Sequence, residues 1–244
     1  LSYHHLPLLR GIRSFARKTG ILGVIKRHAN SSSLAYEEKF ATAMLQAVRT
    51  NDVVWDIGAN VGFYTKQFVQ KVGSNGIVVA FEPFPETFSQ LSAELSRFPI
   101  ERCQLCPVAI SNENGTASFE TESDVNGNIV STTAHLIETV SSREHCNAVF
   151  AQVRVLTADE AQKEFQLPTP VVTKIDVEGF EDEVLQGGEG VFSSEISKHI
   201  FVEVHFSRLD ARGKSNAPQS IVKRLRGWGY RVKWLDPSHL HAFR

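Results

Sequence analysis

Two short stretches, KIDVEGFE over residues 174–181 and FVEVH over residues 201–205, bring acids and a histidine to the ends of apolar runs. Residues two apart in an extended chain point to the same side. Asp176 and Glu178 therefore form one pair, and Glu203 and His205 another. If the two runs are neighbouring strands, three carboxylates and an imidazole converge at one sheet edge. Such crowding raises at least one carboxyl pKa, and histidine has the ordinary pKa nearest to neutral. This is the equipment of a general base that takes a proton from a hydroxyl. His205 and Asp176 are the candidate bases, and Glu178 is the candidate anchor for a substrate hydroxyl. The same oxygen-rich set could hold Mg²⁺ or Mn²⁺, although no spacing here demands a metal. Glu181, Asp182 and Glu183 follow in the first turn of an expected helix, where acids complement the helix dipole.

A second constellation lies in VVWDIGANVGFYT, residues 53–65. Gly58, Asn60 and Gly62 make a G-x-N-x-G turn, which is not the G-x-G-x-x-G of dinucleotide-binding loops. Glu82 ends the next apolar run and would accept hydrogen bonds from a ribose diol, a role equally expected in an NAD site. Asp56 separates the alternatives. A carboxylate beside the loop repels a pyrophosphate but attracts a sulfonium and an ammonium, by about 4 kcal/mol at ~4 Å and an effective dielectric near 20, before desolvation. The expected cofactor is S-adenosylmethionine, with the glycines admitting it to the backbone and Asn60 pairing with its zwitterion.

The elements that must position these residues alternate. Strands are expected over Asp52 to Asp56, Ile77 to Phe81, Arg102 to Ile110, Val153 to Leu156, Val171 to Asp176 and His199 to His205. Helices are expected over Phe63 to Lys71, Glu86 to Arg97 after Pro85, Thr157 to Phe165, the stretch before Gly187-Gly188, and Pro218 to Trp228. Asn114-Gly115 should turn the third strand into a short partner, Thr116 to Glu120. Tyr230 to Leu235 and Leu240 to Phe243 should close the sheet as an antiparallel pair. Repeated strand–helix units predict a doubly wound α/β sheet, whose ligands bind beyond the carboxyl ends of the strands.

Residues 1–50 look helical and amphipathic, forming an amino-terminal extension to a domain over 51–244, with a second helix over Glu37 to Val48. Residues 121–150 are polar and weakly periodic, as in a lid or binding insertion. Composition is that of a globular domain, with 42% hydrophobic and 22% charged residues among 244. A net charge of −1 gives no global field for nucleic acid. Seven of the 26 basic residues but only two of the 27 acids fall within residues 1–40, a basic segment that could contact an acidic membrane surface. No apolar run approaches the ~18 residues of a membrane span, and the expected setting is the cytoplasm. Cys103 and Cys106 are three apart on an expected strand, hence on opposite faces, and read as buried thiols in place of a redox pair.

Taken together, DIGANVGFYT, FEPFPETF, VAISNENGTASF and KIDVEGFEDEVLQGG resemble, in this order and spacing, the FkbM family of S-adenosylmethionine-dependent methyltransferases. The resemblance covers about residues 52–205. It implies the seven-stranded, Rossmann-like class I methyltransferase fold and O-methylation of a hydroxyl on a sugar, glycan or natural-product metabolite. It also implies that Asp56, Gly58, Asn60, Gly62, Tyr64 and Thr65 face the methionine side, that Glu82 takes the ribose, that Pro83 and Phe84 line the adenine, and that Val108 and Ala109 close over it. Two competing expectations are an NAD-dependent oxidoreductase, which would need the missing G-x-G-x-x-G, and a catalytically silent binding module on the same fold.

Overall fold

The computed structural model describes residues 31–122, 135–137 and 148–244. The chain divides between Ala41 and Thr42, inside helix α1 (Ser31–Ala47). The expected amphipathic helix and basic segment before residue 31, and most of the polar insertion, lie outside the described residues.

The second unit is built on a seven-stranded mixed sheet with strand order β10-β11-β9-β8-β1-β2-β3. Its strands are β1 (Val53–Ile57), β2 (Ile77–Phe81), β3 (Cys103–Cys106), β8 (Val172–Ile175), β9 (His199–Glu203), β10 (Arg231–Trp234) and β11 (His239–Phe243). β3, β2, β1, β8 and β9 are parallel, and β11 and β10 close the sheet antiparallel. Seven strands closed by an antiparallel pair are what the sequence led us to expect. VVWDI and IVVAF are nearly unbroken apolar runs because helices cover a parallel sheet on both faces, and all four residues of VTKI are buried although two are polar. Those helices are α2 (Phe63–Val72), α3 (Pro85–Leu95, with Pro85 at its start), α4 (Ala158–Glu164), α5 (Glu181–Gln186), α6 (Glu189–Ser193), α7 (Phe206–Ala211) and α8 (Ala217–Gly227). Trp55 is fully buried against Phe81 and Phe192, and its indole N–H donates to the Pro168 carbonyl at 3.1 Å, so the polar end of the ring is satisfied.

The expected third strand is two strands. β3 ends at Cys106, and β4 (Ala109–Ser111) belongs to a second, four-stranded sheet of order β4-β7-β5-β6. Pro107 breaks the run: it has no N–H for a ladder, and Val108 N–H folds back onto the Cys106 carbonyl at 2.9 Å. The expected hairpin across Asn114-Gly115 is also corrected. β5 (Gly115–Glu122) pairs with β6 (His135–Ile137) and β7 (Ala148–Thr157), and β7 lies between β4 and β5. Buried Cys103 and Cys106 stand at the two ends of β3, their thiols pushed up to about 12 by burial. No helix among the described residues is long and apolar enough to cross a membrane.

Candidate functional site

The loop from β1 to α2 is fixed from beneath by charge. Asp56 is wholly buried, accepts from the Thr65 hydroxyl at 2.6 Å, and pairs with the Lys174 ammonium at 3.1 Å. Lys174, also buried, donates to the Gly58 carbonyl at 3.0 Å and reaches Asp176 at 3.4 Å. Burial works against its charge, yet Asp56 and Asp176 hold the ammonium well above its usual range. This changes the expected role of Asp56: its charge is compensated inside the protein, so it does not supply an uncompensated attraction for a cationic ligand. Thr65 likewise turns inward. Lys174 escaped the sequence reading because it stands inside an apolar strand run; its only signal is being the one cation in VVTKID.

The loop glycines answer to the protein's own backbone. A Cβ on Gly58, whose φ is +79°, would lie 1.8 Å from the Asp176 carbonyl, and one on Gly62 would meet Leu91 at 2.7 Å. Glycine here lets the loop cross the end of β8 and pack on α3. Above it, the Glu82 carboxylate accepts from the backbone N–H of Asn60 at 2.9 Å and of Phe84 at 3.0 Å. Burial pushes this carboxyl up to about 7 despite the two amides and Lys174. Each Glu82 oxygen retains acceptor capacity for a ribose hydroxyl. Asn60 sits at φ +51° with its side-chain oxygen accepting from Val61 N–H at 2.7 Å. Tyr64 is half-buried, its ring 5.6 Å from the Lys174 ammonium. Of the residues expected around an adenine, Pro83 is half-buried and Val108 and Ala109 are buried; Phe84 is wholly buried in a cluster with Ala109, Val153 and Val155, as core in this conformation.

Asp176, Glu178, Glu203 and His205 do come together, but not as strand neighbours. β8 stops at Ile175 and β9 at Glu203, so the expected alternation does not extend to Glu178 or His205. Glu178 adopts a left-handed conformation, φ +57°, and His205 caps the start of α7. Gly179 follows at φ +97°, where a Cβ would meet that of Arg208 at 2.8 Å. His205 Nε2 lies 3.4 Å from Glu178, 3.8 Å from Asp176 and 3.8 Å from Glu203. Its Nδ1 donates to Glu181 at 2.8 Å, and the same Glu181 oxygen accepts from Gly179 N–H at 2.8 Å.

The charges sort themselves accordingly. Burial opposes the imidazolium, but Glu181, Asp176 and Glu178 push the His205 pKa up to about 10. This shift favours a protonated ring at neutral pH, a state that disfavours the role of base expected of it. Burial raises the Asp176 carboxyl, but Lys174 and His205 outweigh it and hold the carboxyl below its usual range. Glu178 moves the other way, raised chiefly by burial despite His205 and the Arg208 contact at 2.7 Å. Glu181, Asp182 and Glu183 are not exposed acids at a helix start either. Glu181 is fully buried against His205, Asp182 meets Arg224 at 3.4 Å, and Glu183 meets Arg212 at 2.6 Å and also Lys214.

Asp176, Glu178 and His205 each bring a donor atom within 4.8 Å of the others. A divalent cation does not fit this set well: its one nitrogen ligand is an imidazolium, and Lys174 and Arg208 already compensate the two carboxylates. The arrangement is an ion-pair cluster with one carboxyl of raised basicity. A separate polar cleft of about 680 Å³ is lined by Asn112, Asn114, Thr116, Gln152, Phe180 and Lys214, and none of Asp176, Glu178, Glu203 or His205 borders it.

Comparison with known proteins identifies the family. The methyltransferase FkbM domain matches residues 56–232. The chain is similar to the hexuronic acid methyltransferase AglP of Haloferax volcanii, at 30% identity over 69% of this chain. It spans 62% of that relative's length. Among solved structures, it is similar to the FkbM methyltransferase of Methylobacillus flagellatus (13% identity, TM-score 0.49, 80% of this chain and 44% of that one). It is also similar to a precorrin-6y C5,15-methyltransferase of Geobacter metallireducens (17% identity, TM-score 0.47, 84% and 88%).

Proposed function

The chain belongs to the FkbM methyltransferase family, and on that premise we propose that it transfers a methyl group from S-adenosylmethionine to a hydroxyl of a sugar or glycan. The observation that carries the reading is the cluster of Asp176, Glu178, Glu203 and His205 at the carboxyl edge of the sheet, beside the Glu82 loop. The relative's name as a hexuronic acid methyltransferase favours a saccharide acceptor.

Glu82 would take the ribose hydroxyls and the loop from Gly58 to Tyr64 the methionyl part. The bound sulfonium supplies an electrophilic methyl carbon, and the protein's own work is to aim a hydroxyl at it and receive its proton. Glu178 is the base in this reading: burial keeps its carboxyl receptive, and its oxygen lies at the imidazolium edge. His205, already protonated, stabilises the negative charge of the cluster, while Asp176, held ionised by Lys174, accepts a hydrogen bond from the acceptor. Orientation of this kind contributes up to roughly 7–11 kcal/mol, and a positioned base a further ~10²- to 10⁴-fold. The nicotinamide reading loses its ground, since the matching domain is that of methyltransferases.

The test pairs binding with turnover. S-adenosylmethionine and S-adenosylhomocysteine should stabilise the protein, by about 2.7 kcal/mol at 100 times the dissociation constant. Labelled methyl groups should pass to glucuronide or neutral glycoside acceptors. Stabilisation by NAD alone would overturn the cofactor; stabilisation without transfer to any hydroxyl would favour the silent binding module.

A further inference from the structure

We infer that Glu203 is an additional acceptor-binding carboxylate of this site, and that His239 and Asp236, in the turn and strand after β10, are the residues that position it. The inference rests on the proposed hydroxyl-bearing acceptor. β11 runs antiparallel to β9 with His239 directly opposite Glu203, so the two side chains are cross-strand neighbours. His239 Nε2 lies 3.5 Å from one Glu203 oxygen. The other Glu203 oxygen faces His205 Nε2 at 3.8 Å. Glu203 therefore bridges two imidazoles.

His239 is itself held. Its Nδ1 meets the Asp236 carboxylate at 2.8 Å, and Asp236 also accepts from the backbone N–H of Ser238 and of His239, each at 3.0 Å. The turn thus fixes the acid, the acid fixes the ring, and the ring presents Nε2 to Glu203. This is the logic by which a carboxylate orients a histidine in catalytic triads. Burial differs along the chain of contacts. The His239 and Asp236 side chains are only 4% and 1% exposed, whereas Glu203 keeps 33% of its side chain open. Ion pairs this deeply buried gain little over well-packed apolar residues as a source of stability. What they do gain is a carboxylate in one orientation with one face accessible at the reaction edge. The charged groups facing His239 are Asp236, Glu203 and, farther off, Asp176. Burial opposes its charge, but Glu203 and Asp236 raise its pKa, so it donates to both.

A carboxylate so placed accepts a hydrogen bond from a second hydroxyl of the acceptor, next to the one being methylated. A sugar offers neighbouring hydroxyls at fixed angles, so Glu203 and Asp176 together would select which one reaches the base. Glu203 touches the acceptor in this scheme; His239 and Asp236 act through it.

The experiment uses the full chain with methyl β-D-glucuronide as probe acceptor. Glu203→Gln and His239→Ala should raise the acceptor KM about tenfold, the worth of one such contact. The kcat should change less than threefold, S-adenosylmethionine should stabilise the variants as it does wild type, and the methylation position should become mixed. His239→Gln, which keeps an N–H donor, should recover part of the loss, as a merely structural role would not. Unchanged KM and unchanged regiochemistry in Glu203→Gln would overturn the proposal. A measurement free of turnover separates this from failure of the methyl-transfer reading: in ¹⁵N-histidine spectra the His239 ring signals should move on Glu203→Gln, and identical signals would overturn the positioning contact even if no acceptor is methylated.

Discussion

Replacing Glu181 by glutamine tests whether His205 is a standing cation. Glu181 is fully buried and holds His205 Nδ1 at 2.8 Å; with Asp176 and Glu178 it lifts the imidazole from 6.5 to about 10. An opposite charge at this range moves a pKa by roughly 1–3 units, and each unit is about 1.4 kcal/mol. Glu181→Gln should therefore lower the His205 pKa by about 1–3 units while leaving a side chain of the same shape. The linkage sign follows from a folded pKa above the unfolded one. The contribution of His205 to stability is complete below about 6.5 and is lost as pH rises through about 10. Wild type should lose stability across that window, and Glu181→Gln should lose less of it, because less is there to lose. The assay is a ¹H–¹⁵N titration of the His205 ring in both proteins, with urea unfolding at pH 6.5, 8 and 9.5. A wild-type His205 that titrates near or below 6.5, or a pKa unmoved by Glu181→Gln, would refute the charge assignment and return His205 to the role of base.

Three further outcomes follow from the same geometry. Because burial raises the Glu82 carboxyl to about 7, its ionised form dominates only above that pH. Affinity for S-adenosylmethionine, read by calorimetry, should weaken as pH falls below 7, and Glu82→Gln should be weak and flat across the range. Lys174→Met leaves Asp56 a buried, unpaired charge, which costs roughly 3–5 kcal/mol; the double variant with Asp56→Asn should regain part of the stability in denaturant melts. Gly58→Ala puts a Cβ 1.8 Å from the Asp176 carbonyl at a positive φ and should fail to give a folded, cofactor-responsive protein, judged by circular dichroism and thermal shift.

The parallel sheet was legible because its strands must be largely apolar on both faces, and VVWDI and IVVAF advertise that burial. Gly58, Gly62 and Glu82 were legible as a site loop, but the glycines' reason was not, since Gly58 makes room for the Asp176 carbonyl just after β8, more than a hundred residues away, and Gly62 for the Leu91 side chain on α3. Asp56 was misjudged for the same cause: its partner Lys174 lies on a neighbouring strand, and sequence spacing carries no trace of a cross-strand ion pair. Glu181 sits among acids that suit any helix start, so nothing local marks it as the partner of His205. Asp236 and His239 become meaningful only once β11 is paired with β9. Pro107, like the lone cation Lys174, was a missed feature with a local signal, and its missing N–H was enough to split the third strand.

The central claim is that this fold carries a working base for methyl transfer, and it is tested most directly by comparing wild type with Glu178→Gln. The quantity to measure is transfer of a labelled methyl group from S-adenosylmethionine to methyl β-D-glucuronide, with both proteins first shown to be stabilised equally by S-adenosylhomocysteine. The expected result is label on a sugar hydroxyl with wild type and a loss of about 10²- to 10⁴-fold with the variant. Equal turnover by the two proteins would contradict the account.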